Sequence, residues 1–171
     1  MIKPFSSFLE EQKTPSETQK ALSLMKKAHA GQKYGSMPYW RHPKAVADLG
    51  KKTFGSKFTE DAYVAALLHD VIEDSSYTKE DLASLGYSKA VVDAVVLLTK
   101  EKSKSYEDNM NRIISSGNQI AMMVKYSDNF INFHGDKSDW EASRKEKAQK
   151  KYAASLKLFG TKLGVRSNFP V

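Results

Sequence analysis

An all-α fold, a compact helical bundle, is the class that this sequence predicts, and three observations predict it. Apolar side chains recur at helical spacing in segment after segment. Ser or Thr followed three residues later by an acid or an amide, a helix-start signal, also recurs along the chain. The single Val-rich segment that resembles a strand finds no second segment to pair with, and a lone strand is not stable.

Ser16 and Gln19 have the form of a capping box, and Ala21, Leu22, Met25 and Ala28 follow at helical spacing, which predicts a first helix running to about Ala30. Between Gly31 and Arg41 two glycines and a proline predict a loop; His42 then stands as an N-cap, with Pro43 at the tolerant first helical position. Thr59 opens EDAYVAALLHDVIED, apolar on nearly every side between Ala62 and Ile72, as a central helix must be. Thr78, Ser105 and Ser138 are further caps, with Asp81, Asp108 and Glu141 three residues on. In AVVDAVVLLT the residues Val91, Val92, Val95, Val96 and Thr99 follow helical spacing, so the segment is assigned to a helix. Ile120, Val124 and Ile131 mark a helix from Asn118 to Phe133, and a last long helix is expected from about Ser138 to Phe159.

The length of 171 residues suits one core, and no repeat, linker or low-complexity tract divides it, so residues 1–171 are expected to form a single domain. A chain 40% hydrophobic and 11% aromatic, with its apolar positions well spaced, is not a disordered one. No run of about 18 apolar residues offers a membrane span, and the opening MIKPFSSFLEEQ carries acids where a secretory signal needs an apolar stretch. A cytoplasmic protein without a membrane partner is the expectation. The chain has no cysteine, so any metal must be held by His and carboxylate. Lys and Arg outnumber Asp and Glu 27 to 20, giving +7 and favouring anionic ligands. The densest basic stretch, Arg144 to Lys151, has Glu146 interleaved and reads as a solvated helix face, so no nucleic-acid partner is expected.

His69 and Asp70 end the most apolar run of the chain and so fall at its buried end. A buried carboxylate is tolerated only with a partner, either a cation or a basic side chain. Asp128 poses the same problem: four residues after Val124 and three before Ile131, it lies within that helix's apolar stripe. One divalent cation would satisfy all three, with His42 as fourth ligand; separate pairing of each with hydrogen bonds, Lys or Arg is the alternative that spacing leaves open. Glu73 and Asp74 follow His69 by four and five residues and would reach back toward such a cation, or else simply face solvent.

These residues also form a pattern. His29-Ala30-Gly31-Gln32 resembles an HxGQ element, Pro38-Tyr39-Trp40-Arg41-His42-Pro43 a PYxxHP element, His69 to Asp74 an HDxxED motif, and Lys125 to Asn132 a KxxDxxxN element. In this order they resemble the HD-domain phosphohydrolases, and among them the small alarmone hydrolases and the hydrolase domain of the RelA/SpoT homologues. The resemblance covers about residues 25 to 133 and implies a bundle of roughly ten helices. It also implies one Mn2+ per chain on His42, His69, Asp70 and Asp128, with Glu73 and Asp74 as proton-transfer groups.

The implied reaction removes pyrophosphate from the 3′ position of ppGpp or pppGpp, leaving GDP or GTP, as in the stringent response, with a small-molecule nucleotide as the partner. Lys33, Tyr34, Tyr39, Lys125 and Asn132 are the substrate-binding candidates. The loop after HxGQ is one residue shorter than the usual form and carries Tyr34 where arginine is common, so Tyr34 or Lys33 supplies the base-stacking surface. Lys125, one turn before Asp128, meets a phosphate, steadies the carboxylates or lies at the surface; His29 reads as structural or as a substrate contact. Thr99-Lys100 resembles a further element near the nucleotide. Other substrates within the same reading are ppApp and the 2′-phosphate of NADPH; a non-catalytic nucleotide-binding module is the reading of a different class.

Overall fold

The computed structural model describes residues 15–165, so the N-terminal segment read above for a secretory signal lies outside them. Helix α1 spans Glu17–Ala28 and opens on the expected capping box, in which Ser16 Oγ accepts from the Gln19 amide at 3.2 Å and Gln19 Oε1 accepts from the Ser16 amide at 2.9 Å. It ends two residues before Ala30, because His29 leaves helical geometry and Gly31 turns the chain at φ +79°. The segment expected to be only loop contains a small antiparallel hairpin, β1 (Lys33–Tyr34) and β2 (Met37–Pro38), paired Lys33 to Pro38 and Tyr34 to Met37. Gly35, at φ +59°, supplies the left-handed residue of its turn.

Helix α2 spans Arg41–Phe54, and here the sequence reading needs correction: the N-cap is Trp40, and His42 and Pro43 are the second and third helical residues. The His42 amide donates to the Tyr39 carbonyl at 2.8 Å, so the hairpin end starts the turn that a side-chain cap was expected to start. Pro43 remains inside the first turn, where its missing N–H costs nothing. The apolar run after Thr59 divides into α3 (Glu60–Leu68) and α4 (Val71–Asp74), with a turn at His69 and Asp70.

Helices α5 (Lys79–Ser84), α6 (Lys89–Leu98) and α7 (Tyr106–Ser115) follow, with Thr78 and Ser105 closing capping boxes and the Val-rich segment helical as expected. Helix α8 spans Gln119–His134 behind the Asn118 cap. The last helix, α9, spans Ala142–Leu163, with N-cap Glu141, four residues later at each end than expected. Ser138 does not cap it, since its amide donates to Asp136 Oδ1 at 2.8 Å within the preceding turn.

Helix α3 is the axle of the bundle, with Ala62 and every residue from Val64 to Leu68 at 0% exposure, packed by α1, α2, α6 and α8. Helix α8 is its counterpart: nine consecutive residues, Ala121 to Asn129, are buried between α2, α3, α6, α7 and α9. Each fully buried Leu, Val or Phe contributes about 1.5–3 kcal/mol, so these two helices anchor whatever they carry. They carry His69 and Asp128. No helix among the described residues is long and apolar enough to cross a membrane.

Candidate metal centre and active site

Three elements converge on one point. The first turn of α2 brings His42, the break after α3 brings His69 and Asp70, and the middle of α8 brings Asp128. His42, His69 and Asp128 are each buried and offer ligand atoms all within 4.8 Å of one another. Asp70, its side chain 16% exposed, stands beside them with Oδ2 2.9 Å from His69 Nε2 and 4.0 Å from His42 Nε2. Asp128 Oδ1 lies 3.2 Å from His42 Nε2 and 3.9 Å from His69 Nε2.

The donor set fits a divalent cation. His69 Nδ1 lies 2.8 Å from the Ala66 carbonyl, which can only accept, so Nδ1 carries the proton and Nε2 is the atom turned to the carboxylates. That Nε2 is buried and, although close to Asp70, makes no aligned hydrogen bond. Burial works against protonating His69, but Asp70 and then Asp128 outweigh it and hold its pKa up at about 9. A cation at Nε2 would take the place of that proton. Burial likewise opposes the charge on Asp128, yet Lys125 first, then the two histidines, keep its carboxyl well below the usual range. Imidazole and carboxylate together suit several divalent metals, so a metal-capable site is what the chemistry defines.

The surroundings are built to hold these groups still. Lys125, buried, donates to Asp128 Oδ2 at 2.8 Å, and Asn132 Nδ2 donates to Asp128 Oδ1 at 2.6 Å. Of the alternatives left open for Lys125, the structure has it steadying the carboxylate. The Tyr34 ring stacks on His42, centroids 4.7 Å apart and 21° from parallel, while its hydroxyl donates to Asn132 Oδ1 at 3.1 Å. Strand alternation turns Lys33 the other way, where it stands exposed beside His29, Gln32 and Trp40. Tyr39 Oη donates to Asp70 Oδ2 at 2.6 Å and lies 3.3 Å from Asp74 Oδ2, bridging the two carboxylates.

Glu73 and Asp74, adjacent in α4, have different environments. Both Glu73 carboxylate oxygens are taken by Lys100, Oε1 by its ammonium at 2.7 Å and Oε2 by its amide at 3.3 Å. Burial, followed by the charges of Asp70 and Glu73, raises the Asp74 carboxyl above its usual range, with His29 and the Tyr39 hydroxyl opposing in part. His29 acts one step back: its Nδ1 lies 2.9 Å from Gln32 Oε1, and Gln32 Nε2 donates to the Asp74 carbonyl at 2.8 Å. The HxGQ residues thus fasten the end of α4.

Sequence reasoning missed the third wall. Tyr106 donates to Asn129 Oδ1 at 3.1 Å, Asn129 Nδ2 donates to Ser155 Oγ at 2.6 Å, and Tyr152 packs edge-on against Tyr106 with centroids 6.4 Å apart. Burial first, and then Asp128, push the Tyr152 hydroxyl up to about 12. A signal existed: Ala148, within the stretch read as a solvated face, and Tyr152, Ser155 and Phe159 just beyond it recur at helical spacing.

A helical bundle that carries a buried, metal-capable His/His/Asp cluster is the class that the fold and this site define. Among particular relatives, the chain is 40% identical over 88 residues to the guanosine-3′,5′-bis(diphosphate) 3′-pyrophosphohydrolase of Haemophilus influenzae, matching 50% of this chain and 13% of that protein. It is 43% identical over 114 residues to the protein of the same name from Vibrio cholerae, matching 61% of this chain and 16% of the relative. Against the bifunctional (p)ppGpp synthase/hydrolase SpoT of Escherichia coli it is 31% identical over 122 residues, 66% of this chain and 17% of the other. The chain therefore spans less than one fifth of the length of each of these curated relatives. A solved structure described as a metazoan ortholog of SpoT that hydrolyzes ppGpp superposes with a TM-score of 0.66 over 90% of this chain and 98% of the other, at 20% identity, a likeness of fold. No family model matches the chain.

Proposed function

We propose that this domain is a metal-dependent phosphohydrolase that removes the 3′-pyrophosphate of guanosine alarmones, ppGpp and pppGpp, leaving GDP and GTP. The observation that carries the reading is the convergence of His42, His69 and Asp128 within 4.8 Å, with Asp70 beside them, in a chain whose relatives bear the name of that hydrolase. His42, His69, Asp70 and Asp128 are the proposed ligands of one Mn2+ per chain. When bound, the cation supplies Lewis acidity toward a phosphoryl oxygen and makes water a stronger acid.

The chain's own residues do the rest. Asp74, its proton affinity raised by burial and neighbouring charge, takes up or returns a proton at Oδ2, held in register by the Tyr39 hydroxyl. Glu73, fixed by Lys100, acts beside it as the second proton-transfer and positioning carboxylate. Lys125 and Asn132 hold Asp128 and border the phosphates, and Tyr34 offers the ring face turned away from His42 to the base, with Lys33 at the rim. One such domain acts on a free nucleotide in the cytoplasm.

The test is product identification. Manganese-loaded protein is incubated with ppGpp, pppGpp, ppApp and NADPH, and the products are separated by ion exchange. Release of pyrophosphate with GDP or GTP is expected. Inorganic phosphate from NADPH alone, or retention of every nucleotide intact, would overturn the assignment in favour of a different substrate or of a binding module.

A further inference from the structure

Three lysines share the field around the cluster, and only two of them have an acid partner. Lys125 is paired with Asp128 at 2.8 Å and Lys100 with Glu73 at 2.7 Å. Lys151, on α9, makes no ion pair among the described residues; its ammonium sits 4.4 Å from the centroid of the Tyr152 ring and 4.7 Å from that of Tyr106. Two aromatic faces hold a cation in place without neutralising it, since the ring quadrupole attracts the ammonium but leaves its net charge intact. Tyr106 is itself fixed by Asn129, the neighbour of Asp128 on α8, so the platform is tied to the helix that carries the metal-capable cluster.

We propose that Lys151, seated on Tyr106 and Tyr152, is a phosphate-binding residue that donates to a phosphate oxygen of the nucleotide and makes the site select for a second anionic group. This rests on the phosphohydrolase reading above and adds a subsite to it. Asp128, the acid whose charge reaches Lys151, is already engaged by Lys125, Asn132 and His42, so the protein leaves the Lys151 charge to be met from outside. Burial, and then the like charges of Lys100 and Lys125, lower the Lys151 pKa, a repulsion that an anion placed among the three would relieve. Lys147, on the same helix one turn earlier and exposed like Lys151, has no such platform among the described residues, which makes it a fitting control.

Inorganic pyrophosphate is titrated calorimetrically into the manganese-loaded wild type and the Lys151→Met, Lys151→Arg and Lys147→Met variants, and KM and kcat for ppGpp are measured on the same samples. Methionine keeps the length and the contact with both rings while deleting the charge. Lys151→Met is expected to weaken pyrophosphate binding and raise KM on the order of 10-fold, the effect of one lost charged contact, with kcat within about twofold of wild type. Lys151→Arg and Lys147→Met are expected to bind as wild type does. Equal pyrophosphate affinity in wild type and Lys151→Met, an equal loss in Lys147→Met, or no binding to wild type overturns the subsite. Because binding is read without turnover, lost affinity in Lys151→Met alongside an inert wild type would sink the alarmone reading and leave the subsite standing; normal hydrolysis with an unchanged KM would do the reverse.

Discussion

Glu73 and Asp74 share a helical turn but not an environment, since Lys100 holds Glu73 while Tyr39 bridges Asp74 to Asp70. Glu73→Gln and Asp74→Asn each keep shape and delete one titratable carboxylate, so each is expected to retain metal and fold while lowering kcat by roughly 100-fold or more; metal content measured beside kcat distinguishes a proton-transfer defect from a failed site. The sign of one pH effect follows from the neighbours of Asp74. Its carboxyl is already raised, and the Tyr39 hydroxyl is one of the groups that lowers it. Tyr39→Phe should therefore raise it further and move the acidic limb of the kcat/KM profile to higher pH; a limb that stays or moves to lower pH would exclude Asp74 as the group that must lose its proton. On the proposed reading Tyr34 has two jobs, one ring face backing His42 and the other offered to the base. Tyr34→Ala is expected to raise KM for ppGpp and ppApp alike, by about 5- to 150-fold for one lost base-aromatic contact, and to loosen metal as well. If KM for both is unchanged while Lys33→Ala raises it, the stacking residue is Lys33.

At the scale of the element, packing overrides propensity on α2. Gly50 lies inside that helix, where alanine is favoured by about 1 kcal/mol on propensity alone. A Cβ there would stand 2.3 Å from the ring of Phe58, a side chain at 0% exposure that has nowhere to go. Gly50→Ala is expected to destabilise the domain by about 1–3 kcal/mol, read as a lower urea midpoint at unchanged slope; a stabilised variant would mean that Phe58 can move. The same contest explains α3 and α4. The run from Ala62 to Ile72 has the composition of one helix, and it breaks at His69 and Asp70, whose side chains face Asp128 and His42 respectively.

For the whole molecule, the cluster is a joint between α2, α3 and α8, three elements otherwise held by apolar packing. A ligand that binds only the folded state stabilises it by about 2.7 kcal/mol at 100 times its Kd. For a domain of this size that corresponds to roughly 5–10 °C in Tm. Stripping metal with chelator should lower Tm by that amount and manganese should restore it, while Asp128→Ala should show no manganese-dependent shift. An equal manganese shift in Asp128→Ala would remove Asp128 from the ligand set.

By itself the sequence determined the helices and the residues that need partners. Apolar spacing sets which face of a segment is buried, so Asp128 within its stripe and His69 at the end of its run were legible as buried polar groups from local pattern alone, whereas Asp70, expected to be buried with His69, is half-buried. The ordered motifs added their association. Local pattern does not say which neighbour a buried face meets, and that the tertiary structure decided. The Tyr39 bridge to Asp70 spans 31 residues and the Tyr34 contact to Asn132 spans 98. No spacing rule reaches that far. Lys151 lies in a stretch whose interleaved charges match a solvated helix, and only the docking of α9 on α8 brings it over two tyrosine rings beside the cluster. Charge patterning records that a side chain tolerates water, whereas a binding role depends on which distant helix supplies the platform beneath it.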